Sequence, residues 1–412
     1  MEKVVIEKLV HGGQAIGRLS DGRVVFVWNA LPDEEVGIRI TKNRKDYCEA
    51  VAEEIIKPSP LRVKPRDEAY LSTSPWQIMD IKSENKFKHE ILKETLHREK
   101  VEFGDVDFFD SDDQWHYRNK MEYSFWADDD GLHLALHRRG SQGKVIVEGS
   151  SLARPEIDQV AQRIVVILNK HKIRGSQLKT LLLRVNSAGD TVAAIFVKDE
   201  TFPNIDELGD VCQGVEVCFS NPKSPASILT KTLFNYGSVE LSDNLSGKKL
   251  IYNVHSFFQV NTTIFEQALK KIKQNLAGQS FVDLYCGVGT IGVCVGGADY
   301  YIDNDFENTK FAQLNIENRE SIILASSEEA LDYISSDKSL VVDPPRAGLH
   351  AKVINKIKSA QPPIVVYLSC NPVTQARDIA LLRQDYEVKS IEGYNFFPKT
   401  PHIESLAILI KY

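Results

Sequence analysis

Cys370 closes the run Ile364-Val365-Val366-Tyr367-Leu368-Ser369 and is followed at once by Asn371-Pro372. The β-branched and aromatic run predicts a buried parallel strand. Asn371 suits a helix N-cap and Pro372 the first helical position, which predicts a helix over 373–382. Cys370 then stands at the carboxyl end of a strand, where open α/β sheets place ligands. The partial positive charge of a helix start favours thiolate over thiol at such a place. An arbitrary cysteine in such a run is most often a small buried hydrophobe. Three other stretches with reactive side chains shift that balance.

The first is Phe281-Val282-Asp283-Leu284-Tyr285-Cys286-Gly287-Val288-Gly289-Thr290-Ile291-Gly292, whose glycines have the spacing of a nucleotide-binding turn. Asp283, on the predicted strand before the glycines, is awkward beside a pyrophosphate but suits an amino-acid ammonium. Asp303 ends the next predicted strand, where a carboxylate takes ribose hydroxyls. Together they favour an adenosine-plus-amino-acid cofactor, S-adenosylmethionine, over a nicotinamide dinucleotide, with a generic tight turn as the third reading. The second stretch, Leu340 to Leu349, holds Asp343-Pro344-Pro345-Arg346. Its prolines keep the backbone extended, so that Asp343 and nearby carbonyls can face a planar base; a stiff connecting loop is the plainer reading. In the third, Glu404 heads the apolar alternation Leu406, Ile408, Ile410, where a carboxylate is costly unless it is used or paired.

The elements that position these residues are legible in outline. At 412 residues the chain exceeds one ordinary core, and its 42% hydrophobic and 26% charged content is that of a globular protein without a membrane span. The amino-terminal residues lack a signal-peptide pattern, which predicts a cytoplasmic protein. Six scattered cysteines form no Cys-x-x-Cys pair, which predicts free thiols and no metal site. A net charge of −7 argues against non-specific binding of polyanions. A nucleic-acid partner would need local basic clusters, the candidates being Lys42 to Lys45, Arg62 to Arg66, Arg118-Asn119-Lys120 and His137-Arg138-Arg139. Residues 1–57 predict a small β-barrel and the prolines at 58, 60 and 65 a linker within 58–83. Residues 84–261 predict a central α+β domain, with helices at 84–100 and 157–171 and hairpins at 121–136 and 181–197. Residues 262–412 alternate helix and strand as a doubly wound α/β domain, opening on a Thr263/Glu266 capping box.

Asp-Leu-Tyr-Cys-Gly-Val-Gly-Thr (283–290), Asp-Pro-Pro-Arg-Ala-Gly-Leu (343–349), Leu-Ser-Cys-Asn-Pro (368–372) and Pro-His-Ile-Glu (401–404) resemble, in order, the motifs of the RNA uracil-5-methyltransferase family. Residues 1–57 resemble its TRAM domain, an OB-like RNA-binding barrel. The resemblance implies a class I methyltransferase domain and methylation of a uridine in 23S ribosomal RNA or, alternatively, uridine 54 of transfer RNA; a monomer is the expectation, though no residue pattern argues for it. It assigns Cys370 as nucleophile at carbon 6 of uracil and Glu404 as general base, with Asp343 at the catalytic centre. For cofactor binding it gives Gln259, Tyr285, Gly287, Gly289 and Asp343, beside Asp283 and Asp303. Many TRAM-bearing relatives hold an iron–sulfur cluster. The corresponding places here fall near Pro65, Leu71, Ser74 and Ser150, none a thiolate donor, so no cluster is expected. Ser326 stands near the place of an adenine-contacting Asp, and Asp303 where Glu is commoner. The competing readings are an RNA-binding protein that no longer turns over, and an N-methyltransferase or dehydrogenase on the same sheet.

Overall fold

The computed structural model describes residues 2–110, 113–276 and 278–412. The chain divides into two compact units, one of residues 1–87, 113–241 and 398–401 and one of 88–112, 242–397 and 402–412.

The first unit begins with a closed five-stranded barrel of Glu2–Leu9, Ala15–Arg18, Val24–Trp28, Glu35–Asn43 and Tyr47–Lys57. Closure satisfies every edge, and Val4, Ile6, Val25, Val27, Val36 and Ile38 alternate into its interior. The predicted linker is pinned to this barrel: Arg62 Nε and Nη2 reach the buried Glu34 carboxylate at 2.5 and 2.7 Å. Part of the basic run 62–66 is therefore structural. Arg139 is too, since its guanidinium lies 4.1 Å over the Trp28 ring and its Nε donates to Leu71 O at 2.6 Å.

A seven-stranded sheet follows, carrying both predicted hairpins as Lys120–Asp128 with Gly131–His137 and Leu178–Val185 with Thr191–Val197. The helix Pro155–Lys170 buries Ile157, Val160, Ile164 and Leu168 against one face of it. Ser74 and Ser150 are buried hydroxyl residues in this unit. Gln77 Nε2 donates to Ser74 Oγ at 2.7 Å, and Ser150 N donates to Asp158 Oδ2 at 3.0 Å.

The second unit is built on an eight-stranded sheet in the order Ile322–Leu324, Ala298–Asp303, Phe281–Leu284, Ser339–Val342, Ile364–Ser369, Glu404–Lys411, Tyr386–Tyr394, Val106–Phe109. From Phe281–Leu284 the chain winds outward through two parallel strands, then returns to the other side at Ser339–Val342. That reversal opens a crevice at the strands' carboxyl ends. The strands are near-continuous apolar runs, as burial on both faces requires. Val106–Phe109, parallel to Tyr386–Tyr394 at the far edge, joins this sheet from a stretch far earlier in the chain. Among the described residues no helix is long and apolar enough to cross a membrane.

Candidate active site

The sheet register places the reactive residues. Ile302, Leu284, Val342, Tyr367 and Ala407 occupy one level across five strands. Tyr285, Asp303 and Asp343 come one residue beyond that level, at the mouth of the crevice. Ser369 pairs with Ser405, so Cys370 and Glu404 are the next residues out on adjacent strands. Gln375, fully buried on the helix Pro372–Leu382, donates to Tyr367 O at 2.8 Å and Ser405 O at 3.0 Å, clamping the two strands together. The N-cap forms as predicted, with Asn371 Oδ1 accepting from Val373 N at 3.2 Å. Asn371 Nδ2 also holds Arg346 O at 2.8 Å, which fastens the Asp-Pro-Pro-Arg loop to the cysteine turn.

The charge state of Cys370 differs from the sequence expectation. Burial, then the charges of Glu404 and Asp343, push its thiol up to about 11, while the Arg346 guanidinium pulls the other way. A helix start offers about 1 kcal/mol, less than one pKa unit, and is outweighed. The resting residue is a thiol. Glu404, 4% exposed, is held well above the usual carboxylate range by burial and then by Asp343. Its carboxylate makes no hydrogen bond or ion pair among the described residues, as expected of a group kept for a substrate. Asp343, half-buried, is pushed up to about 7 by burial and by Asp283.

Asp283 is fully buried beneath the glycine turn. One carboxylate oxygen accepts from Gly292 N at 2.8 Å, and the other, Oδ1, is buried without a partner. Burial pushes it up to about 7 as well. A cation brought to Oδ1 would relieve that cost, so the residue fits the ammonium of an amino-acid cofactor. Tyr285 adopts φ 72° and Gly287 and Gly289 φ 58° and 86°, turning the chain sharply between strand and helix. Asp303 accepts from Gly287 N and Asp305 N, each at 2.9 Å, and stays half-buried.

A cavity of about 560 Å³ is lined by Tyr285, Asp303, Ser326, Ser327, Pro345 and Leu349 among others. It takes in two of the predicted cofactor residues, whereas Cys370, Glu404, Asp343, Asp283 and Gln259 lie outside its wall. Gln259 is buried in the segment leading to the helix Thr262–Leu276. The helix starts at Thr262 rather than through the predicted box, and Glu266 instead accepts from Ser246 N at 2.5 Å. Ser326 Oγ donates to Glu329 at 2.8 Å, so that hydroxyl serves its own turn. Sequence reasoning missed Asp378, which is buried and accepts from Leu349 N and the Tyr367 hydroxyl, each at 2.8 Å. No local pattern announces it, because its partners lie on a loop and a strand of other sequence regions.

The profile of the tRNA (Uracil-5-)-methyltransferase family matches residues 81–330 and 304–412, and that of the TRAM domain residues 2–52. An uncharacterized RNA methyltransferase of Enterococcus faecalis is 29% identical over 445 residues, covering 99% of this chain and 97% of that protein. One of Thermotoga maritima is 29% identical over 449 residues, with 100% and 99% covered. The crystal structure of Pyrococcus abyssi tRNA (uracil-54, C5)-methyltransferase in complex with S-adenosyl-L-homocysteine superposes with a TM-score of 0.81. It shares 24% identity, with 99% of this chain and 100% of that chain covered, and so supports the fold.

Proposed function

The chain belongs to the tRNA (uracil-5-)-methyltransferase family, and on that premise we propose that it transfers a methyl group from S-adenosylmethionine to carbon 5 of a uridine in RNA. The observation that carries this reading is the register that makes Cys370 and Glu404 neighbours on adjacent strands, with the charge of Asp343 acting on both. Methylation at an exocyclic nitrogen needs neither a thiol nor a second acid; carbon-5 chemistry needs both.

Asp283 would hold the cofactor's ammonium and Asp303 its ribose, with Tyr285, Gln259 and the backbone at Gly287 and Gly289 completing the pocket. S-adenosylmethionine supplies an electrophilic methyl on its sulfonium sulfur. The uridine must leave its stack to reach the crevice. Cys370 loses its thiol proton to solvent in the crevice, and the resulting thiolate sulfur bonds to carbon 6. The ring's π pair then spreads over carbon 5 and the adjacent carbonyl. Asp343, poised near neutrality, can donate to that developing oxyanion. Carbon 5 would bond to the methyl as the methyl–sulfonium bond breaks and the sulfur keeps that pair. Glu404, its own proton first lost to solvent, would then take the carbon 5 proton as a carboxylate; the double bond re-forms and Cys370 leaves as thiolate. Of the possible RNAs, 23S ribosomal RNA is favoured by analogy from the TRAM-like barrel alone, with uridine 54 of transfer RNA as the alternative. A map of methylated uridines in cells lacking the protein tests that choice.

The chemistry is tested with RNA carrying 5-fluorouridine and S-adenosylmethionine. Fluorine at carbon 5 blocks the last proton removal, so a covalent complex through Cys370 should accumulate. Tight RNA binding without an adduct would favour a binding protein that no longer turns over, and methyl on nitrogen a different transferase.

A further inference from the structure

Glu404 opens the strand Glu404–Lys411, and its register partner on the antiparallel neighbour is Tyr394. Residues 395–403 are the connection that leads from one to the other, and its first residues are tied down from several sides. Asn395 N donates to Phe109 O at 2.8 Å. The fully buried Lys88 donates to Asn395 Oδ1 at 2.6 Å and to Phe397 O at 3.1 Å. Between those two anchors, Phe396 O accepts from Asn261 Nδ2 at 3.1 Å. Asn261 and Phe396 are both buried, so water cannot replace that bond if it is lost.

Asn261 belongs equally to the cofactor side of the site. It stands two residues after Gln259, and its carbonyl accepts the first bond of the helix Thr262–Leu276, from Phe265 N at 3.3 Å. The Phe265 ring meets Phe396 edge-on with centroids 5.9 Å apart, and Phe396 meets Tyr394 likewise at 5.8 Å. Tyr394 in turn stacks on Phe109 at 5.1 Å and donates its hydroxyl to Glu392 at 2.6 Å. The ring directly opposite Glu404 on the ladder is thereby fixed in place. All of these residues lie in the second unit.

We infer that Asn261 is a positioning residue for Glu404. Its side chain ties the start of the base-bearing connection to the segment that carries Gln259, so that methyl donor and base are set in one frame. It touches neither the RNA nor the reacting atoms. Without its bond, Phe396 shifts against the cofactor segment, and Tyr394 and Glu404 shift with it; a misplacement of about 1 Å costs about 10²-fold in rate. Cys370 is held by Gln375 and Asn371 instead, so its attack does not depend on Asn261. The inference rests on the function proposed above.

The test uses the full chain, saturating S-adenosylmethionine, and transcripts of 23S ribosomal RNA and transfer RNA made with uridine or with 5-fluorouridine. Two rates are compared. Formation of the covalent complex on 5-fluorouridine RNA needs Cys370 but not Glu404, whereas release of methylated product from ordinary RNA needs Glu404. Asn261→Asp keeps the side chain's shape, removes the amide donor and suits a helix start, so folding should survive. It should slow release about 10- to 100-fold, with methylated RNA accumulating on the enzyme, while the covalent complex forms at the wild-type rate. Asn261→Ala should do the same, and it serves if the Asp variant folds poorly. Wild-type release in both variants overturns the positioning role and leaves the function standing. So does an equal slowing of both rates, the mark of a general loss of structure. A wild-type chain that forms no covalent complex overturns the function and this inference with it.

Discussion

At the scale of single residues, the proposed centre is a set of acids whose proton affinities are raised together. Cys370, Asp343, Asp283 and Glu404 are all pushed up, chiefly by burial and then, for most, by one another. In the free protein, alkylation of Cys370 by iodoacetamide, followed by peptide mass spectrometry, should therefore keep accelerating beyond pH 9. A plateau near pH 8 would mean a thiolate already formed at rest. Glu404→Gln should retain folding and S-adenosylhomocysteine binding. It should accumulate covalent enzyme–RNA and lose roughly 10²–10⁴-fold in turnover, the usual range for a removed general base. Cys370→Ala should form no adduct at all. Normal turnover by the Gln variant, read by tritium release from 5-tritiated uridine in RNA, would assign the base to another group.

At the scale of elements, the glycine turn and the cysteine turn are braced differently. The first depends on close approach. A Cβ at Gly292 would lie 3.0 Å from Asp283 Oδ2 and would collide with the Tyr301 ring. Gly292→Ala should cost about 1–3 kcal/mol of stability through overpacking. It should also weaken S-adenosylhomocysteine binding in calorimetry, because it displaces the carboxylate meant for the ammonium. Unchanged affinity would remove Asp283 from the cofactor site. The cysteine turn depends on long-range hydrogen bonds that Gln375 and Asn371 donate and Asp378 accepts. The predicted helices and hairpins matched closely, as at Pro155–Lys170 and Lys120–Asp128, because apolar periodicity and turn residues act locally. The edge strands Val106–Phe109 and Ile322–Leu324 escaped notice, since three or four residues carry no readable alternation.

At the scale of the whole molecule, buried acids make stability depend on pH. Asp343 has a folded pKa near 7 against 3.8 for an unperturbed carboxyl. The folded chain thus binds more protons between those values, and the contribution, full at low pH, is lost as pH rises through about 7. Asp343→Asn cannot ionise. Its melting temperature relative to wild type should rise between pH 5 and pH 8 by about 2 °C or more, taking roughly 1 kcal/mol as the relieved cost. A difference constant across that range, measured by differential scanning calorimetry, would show that the carboxylate is not held out of water.

The sequence by itself determined the order of the motifs, the turn chemistry around Gly287 and Asn371, and the residue types able to act as nucleophile and base. Those follow from local backbone preference and side-chain chemistry, which neighbours along the chain fix. Only the tertiary structure decided that Cys370 rests as a thiol, that Arg62 and Arg139 serve the barrel, and that Asp378 and Gln375 hold the site together. Each of those depends on which distant groups share a low-dielectric neighbourhood, and that is set by strand register and packing rather than by spacing in the chain.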